Sequence, residues 1–182
     1  MRKRLYDRGL NMDIIKTNRL VFREFTQADI ENLFLLLSDP IVMKYCSGTI
    51  NMIGTQKWLD IAIESYEKYG YDYWAVYERD TDTFLGQIGI LNQEIDGTQE
   101  DCLAFMIGQK YWNKGYVTEG AIACINYAFK SLKLEKLIAT VEQENLQSIC
   151  VLRKIGMKYI REANYGDEKV HVYSINKSAC HV

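Results

Sequence analysis

The sequence predicts an α/β fold of the α+β kind: a mixed, mostly antiparallel central sheet packed with helices and containing one parallel crossover. Three observations carry this. Apolar runs of strand character recur along the chain with helical patterns between them, in the order strand, two helices, three strands, helix, strand, helix, two strands. Short turn-rich joints link successive strands, as antiparallel neighbours allow. Late in the chain a strand, an amphipathic helix and a second strand follow one another, the arrangement of a parallel crossover.

Residues 20–25 (Leu-Val-Phe-Arg-Glu-Phe) alternate as a strand. Thr26 and Asp29 form a capping-box pattern with Asp in place of the usual Glu, and Leu33, Phe34, Leu36 and Leu37 follow at helical spacing until Asp39-Pro40. Residues 54–69 read as a second helix with Trp58, Ile61, Ala62 and Tyr66 on one face, stopped by Gly70. Strands over 73–78 and 84–95 flank the turn-rich tetrad 80–83, and Asp96-Gly97 marks the next hairpin. Residues 103–108 form the strand that enters the crossover.

The crossover helix, 118–132, is expected to bury Ala121, Ile122, Ile125, Ala128, Phe129 and Leu132. Residues 136–141 form its second strand. Asn145 caps a helix ending near Ile155, where Gly156-Met157 has the form of a Schellman stop. A final hairpin turns near Gly166-Asp167 and returns through Val170, Val172 and Ile175. Residues 1–12 are expected to be a disordered N-terminal extension and residues 13–182 a single domain.

Composition narrows the function classes. Net charge is −2 with pI near 5.8, against a broad nucleic-acid footprint. No apolar run reaches membrane-span length, so no membrane partner is expected. Five dispersed cysteines without a C-x-x-C pair read as reduced thiols of a cytoplasmic protein, and with only two histidines no metal site is expected. A homodimer remains open.

The strongest chemical signal is Tyr111-Trp112-Asn113-Lys114-Gly115-Tyr116-Val117-Thr118-Glu119, between the crossover strand and its helix. A helix start carries unpartnered N–H groups and the positive end of the helix dipole, and glycine lets a phosphate come close. A P-loop would need G-x-x-x-x-G-K-[ST] and a dinucleotide fold G-x-G-x-x-G; neither is present. Taken alone, Gly115 could be an ordinary loop glycine.

Four segments in order resemble the GNAT superfamily of acyl-CoA-dependent N-acetyltransferases, and within it the ribosomal-protein N-terminal (alanine/serine) acetyltransferase branch. They are Thr17-Asn18-Arg19-Leu20-Val21-Phe22-Arg23-Glu24-Phe25 with Asp29; Ser38-Asp39-Pro40-Ile41-Val42-Met43-Lys44-Tyr45; the Gly115 segment; and Glu144-Asn145-Leu146-Gln147-Ser148 with Val151-Leu152-Arg153-Lys154-Ile155-Gly156-Met157. The resemblance implies helices on both faces of the sheet and a splayed parallel strand pair, 103–108 and 137–142. It implies acetyl-CoA as co-substrate and an amine as acceptor. Backbone groups near Met106 and Ile107 would hold the pantetheine arm, the amides of Lys114, Gly115, Tyr116, Val117 and Thr118 would meet the pyrophosphate, and Asn145 would contact the arm. Val117 departs from the superfamily's usual Gly or Ala.

Such an amine attacks the thioester directly once a base takes its proton. Glu142, at the end of the splayed strand, is the first candidate and Glu94 the second; Glu100 and Asp101 follow. Relatives often place a tyrosine where this chain has Leu152, which leaves Ser148 or water to protonate the leaving thiolate, with Ser148 also a candidate for binding the CoA thiol. Tyr45, Tyr73, Trp74 and Tyr165 are expected along the acceptor side, and Phe105 against a helix. Two other readings use the same fold: a non-catalytic acyl-CoA-binding module and a transferase of longer acyl chains.

Overall fold

The protein is described by a computed structural model over residues 12–46, 48–166 and 168–179. Residues 1–11 of the expected extension, Asp167 of the last turn, Cys180 and His181 fall outside these residues. Strands β1 (Asp13–Lys16) and β2 (Leu20–Arg23) lead into helices α1 (Ile30–Leu37) and α2 (Met52–Lys68). Strands β3 (Tyr73–Glu78), β4 (Phe84–Ile95) and β5 (Thr98–Ile107) precede α3 (Tyr116–Lys130), β6 (Lys136–Val141), α4 (Leu146–Lys154), β7 (Lys158–Tyr165) and β8 (Glu168–Asn176). The strands form one sheet in the order β1-β2-β3-β4-β5-β6-β8-β7, antiparallel throughout except β5–β6.

Adjacent residues of β3 show where the helices lie. Successive side chains of a strand point to opposite faces. The Tyr73 ring stacks on Trp58 of α2, and the Trp74 ring meets Tyr127 of α3 edge-on. Helix α2 therefore covers one face and α3 the other. With both faces covered, β4 is buried without interruption from Leu85 to Leu91 instead of alternating.

The local signals place most boundaries. The Thr26 N–H donates to Asp29 Oδ2 at 2.8 Å, the return half of a capping box. Asp96 and Gly97 both have positive φ, as a tight hairpin with right-handed strand twist requires. Helix α4 ends in a Schellman motif: the Gly156 N–H bonds Arg153 O and the Met157 N–H bonds Leu152 O.

Several expectations are corrected. Helix α2 begins at Met52, not residue 54, because Asn51 Oδ1 caps it by accepting the Gly54 N–H. Helix α3 begins at Tyr116, not Thr118, since Gly115 itself is its N-cap. Ile61 and Ile122 are exposed, not core. Strand β1 was legible only as the start of patterned sequence; at four residues it has too little alternation to read.

Candidate active site

The parallel pair β5–β6 holds register at one position, Cys102↔Ile138. Beyond it the two strands have no paired residues, and a cavity of about 520 Å³ takes up the gap. Residues 103–106 of β5 and 139–142 of β6 line it, together with residues from α2, β4, α4 and the β7–β8 hairpin. The cavity thus runs from the cleft between the strands to the α2 face of the sheet.

Met106 lines this cavity; Ile107 and residues 114–118 do not. The Gly115 turn stands beyond the end of β5, tied to it by the Trp112 indole N–H, which donates to Ile107 O at 2.8 Å. That bond occupies the Ile107 carbonyl. Gly115 has φ +80° and no side chain caps α3, so the first-turn amides keep their donors, while Asn113, Lys114 and Gly115 are exposed. Val117 packs against the core. Its branched side chain therefore points away from the exposed turn, which answers the departure noted in the sequence.

The turn is braced from behind by the β1–β2 connection. Arg19 Nη1 donates to Lys114 O at 2.9 Å, and its guanidinium lies 4.5 Å from the centre of the Tyr116 ring. Glu119, in the first turn of α3, would place negative charge where an anion should bind. Instead it accepts from Thr17 Oγ1, the Arg19 N–H and Arg19 Nε at 2.6, 2.9 and 2.7 Å. Burial opposes ionisation of Glu119, but these bonds outweigh it and hold its carboxyl below the usual range. Arg19→Met should therefore weaken coenzyme A binding about tenfold, some 1.4 kcal/mol, with a smaller effect on kcat. Calorimetric titration with coenzyme A checks this; an unchanged Kd would remove Arg19 from the support of the turn.

On the opposite wall Asn145 Oδ1 accepts the Ser148 N–H at 3.1 Å, so Asn145 caps α4 while both residues line the cavity. Leu152 adds apolar wall one turn on, with no hydroxyl to offer. Glu142 also lines the cavity; partial burial, then Glu168 and Glu144, raise its carboxyl above the usual range. Cys46 is open to the cavity, and burial with the charges of Glu142 and Glu168 raises its thiol, which disfavours the thiolate.

Other expected residues divide. Tyr45, Tyr73 and Tyr165 line the cavity. Trp74 does not: it is fully buried on the α3 face, because it alternates with Tyr73. Phe105 lines the cavity rather than only packing on a helix. Glu94 is exposed near the β4–β5 turn and outside the cavity, whereas its neighbour Gln93 faces it. Asp101 is held by the Tyr71 hydroxyl and Asn92, and Glu100 pairs with Lys136.

Among the cavity residues that escaped the sequence reading are Asp72, Glu168 and Ser65. Asp72 is only 8% exposed and accepts the Tyr73 N–H at 2.7 Å. Burial raises its carboxyl to about 6, with the Tyr73 N–H and Ser65 opposing. The folded chain thus keeps this proton to higher pH than the unfolded chain, so the group's contribution worsens as pH rises from 3.8 to about 6. At neutral pH the cost is of order 3 kcal/mol. A carboxylate inside a run of buried aromatics, Tyr71-Asp72-Tyr73, was the available signal. Among the described residues no group of His, Cys, Asp or Glu is placed to hold a metal ion, and no helix is long and apolar enough to cross a membrane.

Comparison with known proteins finds relatives over most of the chain. The family model described as acetyltransferase (GNAT) domain matches residues 19–158. YkkB, an uncharacterised protein of Bacillus subtilis strain 168, is 33% identical over 86% of this chain and 92% of its own length. YnaD, an uncharacterised N-acetyltransferase of the same strain, is 32% identical over 79% of this chain and 82% of its own. The crystal structure of a GNAT-family acetyltransferase from Bacillus anthracis superposes with a TM-score of 0.76 at 29% identity, covering 90% of this chain and 98% of that one.

Proposed function

The chain belongs to the GNAT acetyltransferase family and is an acyl-CoA-dependent N-acetyltransferase; from that premise we propose how its residues divide the work and where the acceptor amine binds. The observation that carries the reading is the single β5–β6 bridge, with a cavity opening beyond it and the uncapped start of α3 standing at the same end of β5. An extended thioester fits such a cleft with its pyrophosphate on the amides of residues 114–118. Met106 contributes backbone to the arm, and the Asn145 side-chain amide, whose oxygen is committed to its cap, leaves its N–H₂ for a pantetheine carbonyl.

The acceptor reaches the thioester from the α2 side. Its neutral nitrogen attacks the carbonyl carbon, the C–S bond breaks, and the acetyl amide and the CoA thiolate separate. Glu142 takes the ammonium proton, directly or through one water, and Ser148 or water returns one to the thiolate. Burial raises the Asp72 carboxyl as well, but it stands on the β3 side, with β4 between it and the β5 edge of the cleft. Its position suits binding rather than proton transfer at the thioester.

Release of free thiol from acetyl-CoA, followed over a panel of peptides, alkylamines, diamines and aminoglycosides, tests the reading. Thiol release matched by acetylated amine is expected. Tight binding of coenzyme A without turnover on any amine would favour the binding module, and absence of coenzyme A binding would overturn the assignment of the Gly115 turn.

A further inference from the structure

We propose that the acceptor is a small organic diamine: its reacting nitrogen faces Glu142 and Glu168 at the cleft, and a second ammonium group sits against Asp72 at the far wall. This rests on the acetyl-transfer reading above and adds the substrate class. Three carboxylates line the cavity, Asp72, Glu142 and Glu168, and among its described lining residues none is Lys, Arg or His. A wall with one sign of charge selects a ligand of the other sign. One ammonium at the cleft leaves Asp72 without a counter-charge.

Asp72 is the least expected member. It is nine-tenths buried, forms no ion pair among the described residues, and its charge weakens the fold at neutral pH. Nothing in the packing of β3 requires an acid there, since a neutral amide could accept the same Tyr73 N–H. A destabilising charge that opens onto the cavity is explained by a ligand that neutralises it. The surroundings fit a cation as well. The Trp58 and Tyr73 rings stack at 5.8 Å on the same side of the sheet and both line the cavity, offering π faces to an ammonium. Lys44 lies over the Tyr45 ring at 4.8 Å but is not itself among the lining residues.

The register sets the spacing. Tyr73 pairs with Gly89, Gly89 with Ala104, and β5 then neighbours β6. Two inter-strand steps, roughly 10 Å of backbone, separate Asp72 from β5, and because β5 and β6 have parted at this level Glu142 lies more than one further step away, less the reach of the two side chains. A chain of a few methylenes between two ammonium groups spans that gap.

With acetyl-CoA saturating, kcat/KM is measured for α,ω-diamines of four to eight carbons, for n-alkylamines of matched length, and for a peptide with a free α-amine and uncharged side chains. The best diamine is expected to exceed its matched monoamine at least tenfold, mainly through KM, and to exceed the peptide. In Asp72→Asn the diamine-to-monoamine ratio is expected to fall to within twofold of one, with a melting temperature at neutral pH no lower than the parent's. A parent ratio near one, a preference for the peptide, or a ratio unchanged in Asp72→Asn overturns the second-cation site while leaving acetyl transfer standing. Thiol release with none of these amines would remove both.

Discussion

Glu142→Gln is expected to lower kcat by about 10²-fold or more, the usual contribution of a positioned general base, while the Kd for coenzyme A changes little. The acid limb of the rate profile should identify the group. Burial and the neighbouring Glu168 and Glu144 charges raise the Glu142 carboxyl, so activity should rise with pH through that raised value as the carboxylate forms. Glu142→Gln should abolish this limb. Glu168→Gln removes one of the charges that raise Glu142, so the limb should move toward acid with kcat at its plateau largely retained. If Glu142→Gln kept the parent's rate and limb, while Asp72→Asn lost them, the base would be Asp72 and the direction of acceptor binding would have to be reversed. Stopped-assay thiol release over pH 5 to 9 distinguishes these cases.

A large effect on stability is expected at Gly89. This residue lies in the middle of β4, paired with Tyr73 on one side and Ala104 on the other. A Cβ there would overlap the Asp72 carbonyl oxygen and lie 2.5 Å from Tyr73 Cα. Both are backbone atoms of a buried strand, and neither can rotate away. Gly89→Ala should therefore cost about 3 kcal/mol or more, a melting shift of roughly 10 °C for a chain of this size. Gly120→Ala is the matched control. Its Cβ would meet Ile88 Cδ1 at 2.6 Å and Phe22 Cζ at 3.1 Å, both side-chain ends. Those ends can shift, and alanine gains about 1 kcal/mol of helix propensity over glycine, so the net change should be small. Thermal melting of both variants checks the contrast; equal melting temperatures for Gly89→Ala and the parent would show that β3 can move away from β4 at that point. Because Asp72 and Tyr73 line the cavity, any folded Gly89→Ala protein should also acetylate its acceptor poorly.

Much of the fold was legible because the deciding interactions are local. Asn145, Asp96-Gly97 and Gly156-Met157 act within a few residues of themselves, and the apolar period of most strands needs no partner to be seen. The core errors follow the same logic in reverse. Ile61 and Ile122 fit their helical faces by spacing, but the width of the buried stripe depends on what packs opposite. Trp74 was assigned to the acceptor side because a single sequence does not say which face of β3 meets which helix.

The candidate site divides in the same way. Asn145 and Ser148 belong to a segment with family likeness, Met106 and Glu142 follow from the splayed strand pair that the likeness implies, and all four line one cavity. Residues 114–118 stand at the end of β5 as expected, outside that cavity. Glu94 was placed by proximity to a strand end, and strand alternation puts Gln93 there instead. Asp72 could not be found by motif, because its place in the cavity depends on elements that converge from positions far apart in the chain.

The sequence by itself determined the element order from β2 onward, the Asp96-Gly97 turn, the Asn145 cap, the Gly156-Met157 stop and the crossover, since each rests on backbone preferences and apolar period. The tertiary structure decided three things: that β5 and β6 part after one bridge, that Arg19 turns Glu119 away from the Gly115 loop, and that a buried, cation-free Asp72 faces the cleft across the cavity. Each of these is a relation between residues that only packing brings together, and charge burial in particular has no meaning until the walls around the charge exist.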